Sequence, residues 1–246
     1  MEATWAIRQG ILCALCGRVI YRLDTETGEE TAAFSFSGDY AALLAPVMDA
    51  HLQEALIRCP GIRLLDQPFF ETLICFILSA NNNIARITGI VERFCTIAPR
   101  DENGLHLFPT PQQVLSAGRD FVGSIGAGYR APYLWEAAQR MDDGFDADAL
   151  RSMDYEEACK TIRTFKGVGE KVADCVLLFS CGQKSAFPVD TWVEKLLTQW
   201  YGMSGTRSGL KKQARAYFGS YGGLAQQMLF ASAMQQRLRR TEEKNT

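Results

Sequence analysis

The sequence predicts a mainly α-helical protein of the α+β class: a small N-terminal antiparallel β unit, then a helical body of two subdomains. Three observations carry this. Side-chain periodicity changes from about two to about 3.6 near residue 40. A segment apolar nearly all round, FFETLICFILSA, is followed by the one-sided stripe Ile84, Ile87, Val91 and Phe94, with steps of 3, 4 and 3. Two further helical stretches meet at Lys166-Gly167-Val168-Gly169, a turn too short for anything but a tight corner.

Taken in order, residues 17–37 hold two β-prone runs around Thr-Glu-Thr-Gly-Glu, the pattern of a hairpin. We assign 1–52 to a truncated antiparallel β domain and 53–246 to the helical body. FFETLICFILSA reads as a buried helix, and Asn81-Asn82-Asn83 as a helix stop followed by a helix start. Pro109, Pro111 and Gly126-Ala127-Gly128 punctuate the middle. Helices are predicted near 112–118, 131–141, 154–164, 168–180, 191–201, 208–217 and 222–238.

With 246 residues, 47% hydrophobic and 22% charged, the chain can bury a substantial core. It has no apolar run of membrane-spanning length and no signal-peptide layout, so a cytoplasmic protein that does not enter a membrane is expected. A formal net charge of −2 excludes a uniformly basic surface. Any nucleic-acid face must concentrate its cations, and Lys195, Arg207, Lys211, Lys212 and Arg215 do cluster late; a solvated helix face is the plainer account of such a run. Eight scattered cysteines suggest reduced thiols, and Cys13-Ala-Leu-Cys16, with no second pair, suggests packing.

The stretch at about 154–180 has the form of a helix-hairpin-helix. Its glycines allow close backbone approach and leave amides free at a helix N-terminus, where phosphate is favoured. Lys171 has Asp174, Cys175 and Leu178 at i+3, i+4 and i+7, so it leans toward a partly apolar face. A lysine there suits a nucleophile, whose reactive form is the neutral amine. Asp190, after Pro188, stands at a helix start. It can be an N-cap, in competition with a Thr191/Glu194 capping box, or a catalytic carboxylate.

GVGEKVADCVLLFS followed by Pro188-Val189-Asp190 resembles the hairpin-and-aspartate signature of the base-excision DNA glycosylases. The likeness to 8-oxoguanine DNA glycosylases extends through GIRLLDQPFFETLICFILSANNNIARITGIVERF, GAGYRAPYL and GLAQQMLFASA, covering about 60–240. The resemblance implies a helix-hairpin-helix glycosylase fold and a bifunctional glycosylase/AP lyase that removes oxidised purine, 8-oxoguanine opposite cytosine, through a lysine Schiff base and β-elimination. Lys171 matches the Schiff-base lysine and Asp190 the assisting aspartate. Asn81, Arg86 and Arg130 match contacts to the widowed cytosine, and Tyr129 the wedge that fills the stack. Cys175 and Phe230 match the residues sandwiching the flipped purine, and Gln226 one reading its Watson–Crick edge. Gly167 and Gly169 belong to the phosphate-holding hairpin.

The implied partner is duplex DNA containing oxidised guanine or an abasic site, bound by a monomer without a cofactor. No match occurs to the family's N-terminal Gly-Gln-aromatic motif, which reads the N7 hydrogen of 8-oxoguanine, so weaker discrimination against guanine is expected. Trp192 stands where some members have a phosphate-touching histidine. An endonuclease III-type enzyme for oxidised pyrimidines is the nearest alternative; it usually carries four C-terminal cysteines for an iron–sulfur cluster, and none follows Cys181 here. A non-catalytic helix-hairpin-helix DNA-binding module is the other, and it would not need Lys171 and Asp190 together.

Overall fold

The computed structural model describes the backbone of residues 4–8, 11–16 and 19–24, and of 39–245 apart from 61, 101–103 and 105; side chains are described within 39–236. Strands β1 (Thr4–Arg8), β2 (Ile11–Cys16) and β3 (Val19–Asp24) pair antiparallel in that order. The tight connection pairs Cys16 with Val19. The hairpin expected around 25–29 falls on residues that lie outside the described ones.

The body begins at α1 (Tyr40–Leu44) and α2 (Ala50–Arg58), both capped at the start by an aspartate, Asp39 and Asp49. The domain boundary expected between 52 and 53 falls inside α2, a continuous helix whose Leu52 and Ala55 join the common core. Tyr40 is buried in the same core, and its hydroxyl accepts from Leu64 N at 2.9 Å.

The central element is α3 (Phe69–Ser79), whose side chains are buried on every face, as an all-round apolar segment requires. The asparagine triplet after it divides the work of a helix stop and start. Asn82 Nδ2 donates to Leu78 O at 3.1 Å, and Asn83 caps α4 (Ile84–Phe94) by accepting from Arg86 N at 3.0 Å. Asn81 takes neither cap and sits at φ 49°, the left-handed region that asparagine tolerates. Thr110 and Gln113 form a reciprocal capping box at α5 (Pro111–Ser124). The helix predicted to end at 118 is broken there by Gly118, at φ 86° and ψ 163°, and resumes.

α6 (Ala131–Asp142), the short α7 (Ala149–Ser152), α8 (Tyr155–Ile162) and α9 (Glu170–Ser180) complete one group of helices around α3. α10 (Thr191–Tyr201), α11 (Arg207–Phe218) and α12 (Gly222–Asn245) pack on one another, and α12 packs on α2. α9 against α3 lies at the heart of the first group. At the start of α12, Gly223 N donates to Lys184 O at 3.0 Å. A Cβ at Gly223 would overlap Leu178 Cδ1 and lie 2.8 Å from Ala186 O, so helix and loop meet backbone to backbone. Among the described residues no helix is long and apolar enough to cross a membrane. Six cysteines are buried, and the side chains of Cys13 and Cys16 lie outside the described residues.

Candidate active site

The hairpin forms as its glycines dictate. Gly167 sits at φ +83°, and a Cβ there would come 2.6 Å from Tyr133 Cδ2, so the turn packs tightly on α6. Gly169 is the N-cap of α9 and supplies no side-chain oxygen, which leaves the first amides of α9 facing outward. Lys171 follows immediately, on a helix otherwise buried from Val172 to Leu178.

Two cavities meet at Lys171. The first, about 690 Å³, is lined by Ser79–Asn82, the hairpin turn, Asp174, Trp192, Arg207 and Lys211. The second, about 770 Å³, is lined by Phe76, Cys175, Phe179, Gln226 and Phe230, together with Arg58–Pro60 and Ile62–Leu65. Lys171 and Asp190 line both. Lys171 Nζ lies 5.0 Å from the centre of the Phe76 ring, an aromatic face that steadies an ammonium yet offers no carboxylate to hold it.

Asp190 does cap α10, and it does so with one oxygen. Oδ1 accepts from both Trp192 N and Val193 N at 2.9 Å, which leaves Oδ2 as the oxygen outside the cap. The competing capping box is absent: Glu194 turns to Arg207 Nε at 2.8 Å, and Arg207 also donates to Thr191 Oγ1. Structural and chemical readings of Asp190 are therefore compatible.

In the second cavity Cys175 is buried, and burial pushes its thiol up to about 12, against a smaller opposing pull from Lys171. It stays a neutral, polarisable wall at neutral pH. Gln226 is buried, its Oε1 accepting from Gln227 Nε2 at 2.6 Å, and Phe230 is half-buried. Apolar and aromatic faces with a few polar side chains among them, Gln226 the most buried of the amides, are the composition of a pocket for a flat heterocycle.

Of the four predicted DNA contacts, Asn81 lines the first cavity and Arg86, Tyr129 and Arg130 do not. Tyr129 is 60% exposed and stacks edge-on with Tyr133. Arg86 is exposed and reaches Gly126 O at 3.4 Å, and Asn81 is exposed on the cavity wall. Arg130 is 3% exposed, and its guanidinium donates to Ala80 O and, at 3.1 Å, to Asn81 O. These bonds go to carbonyls that shape the Asn81 turn, so Arg130 has a supporting role there beside the cytosine contact expected of it.

Two residues of the site went unassigned in the sequence. Asp174 is fully buried between the Tyr155 hydroxyl and Lys211 Nζ, and burial pushes its carboxyl up to about 6 although Lys211 and Tyr155 pull it down. An aspartate inside the apolar run from Val172 to Leu178 was the signal. Phe76 gave no signal beyond its place on an apolar helix. Among the described residues no cluster of His, Cys, Asp and Glu could hold a metal ion.

Known proteins resemble the chain in sequence and in fold. Residues 74–218 match the model of the HhH-GPD superfamily base excision DNA repair proteins. An N-glycosylase/DNA lyase of Saccharomyces cerevisiae is 31% identical over 212 residues, 70% of this chain and 56% of that protein. The N-glycosylase/DNA lyase OGG1 of Arabidopsis thaliana is 35% identical over 203 residues, 76% of this chain and 56% of that one. The chain thus spans little more than half the length of these relatives. The Clostridium acetobutylicum 8-oxoguanine glycosylase/lyase, solved with double-stranded DNA bearing cytosine opposite 8-oxoG, superposes with a TM-score of 0.82 at 28% identity, covering 95% of this chain and 88% of that one.

Proposed function

The chain belongs to the HhH-GPD superfamily of base excision DNA repair proteins, and from that premise we propose that it is a bifunctional DNA glycosylase/AP lyase that removes 8-oxoguanine opposite cytosine from duplex DNA. The observation that carries the reading is the shared wall. Lys171 and Asp190 border both a cavity sized for a flipped base and a cavity lined by the hairpin turn and Asn81. A nucleotide spanning the two would present its C1′ to Nζ.

In the proposed reaction the neutral Lys171 amine attacks C1′, the N-glycosidic bond breaks, and the base leaves with the bonding electron pair and a proton. Asp190 Oδ2 offsets the positive charge that grows on the sugar, while the α9 amides hold a neighbouring phosphate. Opening of the sugar gives the Schiff base. Loss of a C2′ proton then expels the 3′ phosphate by β-elimination. Cys175 and Phe230 offer faces to the purine and Gln226 reads its edge; extrusion costs a few kcal/mol, which these contacts offset in part. Asn81, Arg86 and Tyr129 serve the cytosine and the gap left behind.

The remaining expectations belong to the same proposal: a small β unit from strands β1–β3 joined to a two-part helical body, a monomer acting with the DNA in the cytoplasm, and no cofactor. Borohydride trapping on an 8-oxoguanine:cytosine duplex tests the core of it. Wild type should give a covalent adduct. Lys171→Gln should give none, and no base release, while still binding the duplex. An adduct formed by Lys171→Gln at the wild-type rate would make another amine the nucleophile.

A further inference from the structure

Lys211 has no part in the hairpin, yet it lines the same cavity as the hairpin turn and Lys171. Its side chain is only 13% exposed, and Nζ lies 3.2 Å from Oδ2 of Asp174, one turn along α9 from Lys171. The other oxygen of Asp174 takes the Tyr155 hydroxyl from α8. An ammonium buried this far needs a counter-charge, and Asp174 supplies it. One carboxylate oxygen engages at most one of the three ammonium donors, so Asp174 fixes where the ammonium sits and leaves the others for a ligand.

The other cations nearby are committed. Arg215, stacked 3.4 Å from the Tyr155 ring centre, is held by Glu156 and Ser185 O. Arg207, in the same cavity, is held by Glu194 and Thr191. Of the two basic side chains that α11 brings to this cavity, Lys211 is the more buried one, 13% exposed against 56% for Arg207, and it lines the cavity together with the start of α9.

We propose that Lys211 is a ligand for a DNA backbone phosphate and that Asp174 is its positioning residue. The phosphate is gripped between the α9 amides and an ammonium from a helix outside the motif. The inference rests on the DNA reading above. A grip one turn from Lys171 fixes the strand beside the reacting sugar, and such positioning is what intramolecular chemistry depends on.

The test uses Lys171→Gln protein, which cannot react, binding a fluorescent duplex with a tetrahydrofuran abasic analogue across a range of salt. Adding Lys211→Gln should lower the slope of log Kobs against log[salt] by about 0.9, the value of one phosphate contact. Lys211→Arg should restore it. Because Lys211→Gln strands the buried Asp174 charge, the Asp174→Asn/Lys211→Gln pair supplies a version free of that strain, and it should show the same reduced slope. Slopes equal to the parent in both Lys211→Gln proteins would overturn the inference. Failure of the Lys171→Gln parent to bind the duplex would instead overturn the DNA reading itself.

Discussion

The guanidinium of Arg130 lies 3.1 Å from the carbonyl oxygen of Asn81, and this bond joins the loop before α6 to the turn between α3 and α4. It holds the left-handed Asn81 with its side chain outward. Arg130→Ala should therefore lower stability by ~1–3 kcal/mol, the cost of buried carbonyls left unpaired, and weaken duplex binding equally opposite all four bases. Arg86→Ala should leave stability nearly unchanged and weaken binding most opposite cytosine. Denaturant melts and titrations with the four duplexes measure both; a cytosine-specific loss in Arg130→Ala would place the contact on Arg130 as well.

Asp190→Asn separates capping from chemistry. Asparagine caps a helix as well as aspartate does, so the melting temperature should move little. Base release should slow by about 10²–10³-fold, the usual loss when a preorganised electrostatic group is removed. Single-turnover kinetics at fixed pH give the second number, and an undiminished rate would reduce Asp190 to a cap.

The two hairpin glycines should respond differently. Gly167→Ala places a Cβ at φ +83° and 2.6 Å from Tyr133, costing about 2–4 kcal/mol from strain and overlap together. At Gly169 nothing lies within 4 Å of a Cβ, so Gly169→Ala should cost under about 1 kcal/mol. Thermal unfolding of the pair decides the matter.

Asp174 gives a pH signature of unusual sign. Its carboxyl is raised to about 6 from an ordinary 3.8, so the folded state holds that proton more tightly than the unfolded state. Stability from this group is full below about pH 4, falls as pH rises toward 6 and is level above, by ~3 kcal/mol at most. Tyr155, Cys159, Lys211 and Arg215 face it, and burial raises Tyr155 and Cys159 further above that window. Asp174→Asn should flatten the pH 4–6 slope, read as the difference between wild-type and variant denaturation curves.

Local patterns were legible in the sequence, and partnerships between distant elements were not. The all-round apolar run of α3 and the stripe of α4 declare themselves because periodicity is a property of neighbouring residues. The hairpin helices, recovered here at Tyr155–Ile162 and Glu170–Ser180, do so for the same reason. The second half of α5 was missed because Gly118 looks like an ending when it is a break. Arg130 was read as a surface contact since nothing local tells a buried arginine from a free one; its partners are 49 and 50 residues away. Lys211 was legible only as one of a late run of cations. Its pairing with Asp174 depends on α8, α9 and α11 converging, which no short window contains.

Gly223 has a mechanical consequence. Helix α12 carries Gln226 and Phe230, the loop before α10 carries Asp190, and at Gly223 the two touch with no side chain between them. The Leu178 side chain closes the space beside that contact and leaves no room for a Cβ, so helix and loop are held at one spacing. The residues that would choose a base and the carboxylate that would act on its sugar therefore behave as one stiff part. Variation that reshapes the base pocket by shifting α12 carries the carboxylate with it, so specificity in this scaffold changes by side-chain replacement on a fixed helix and resists change by moving the helix.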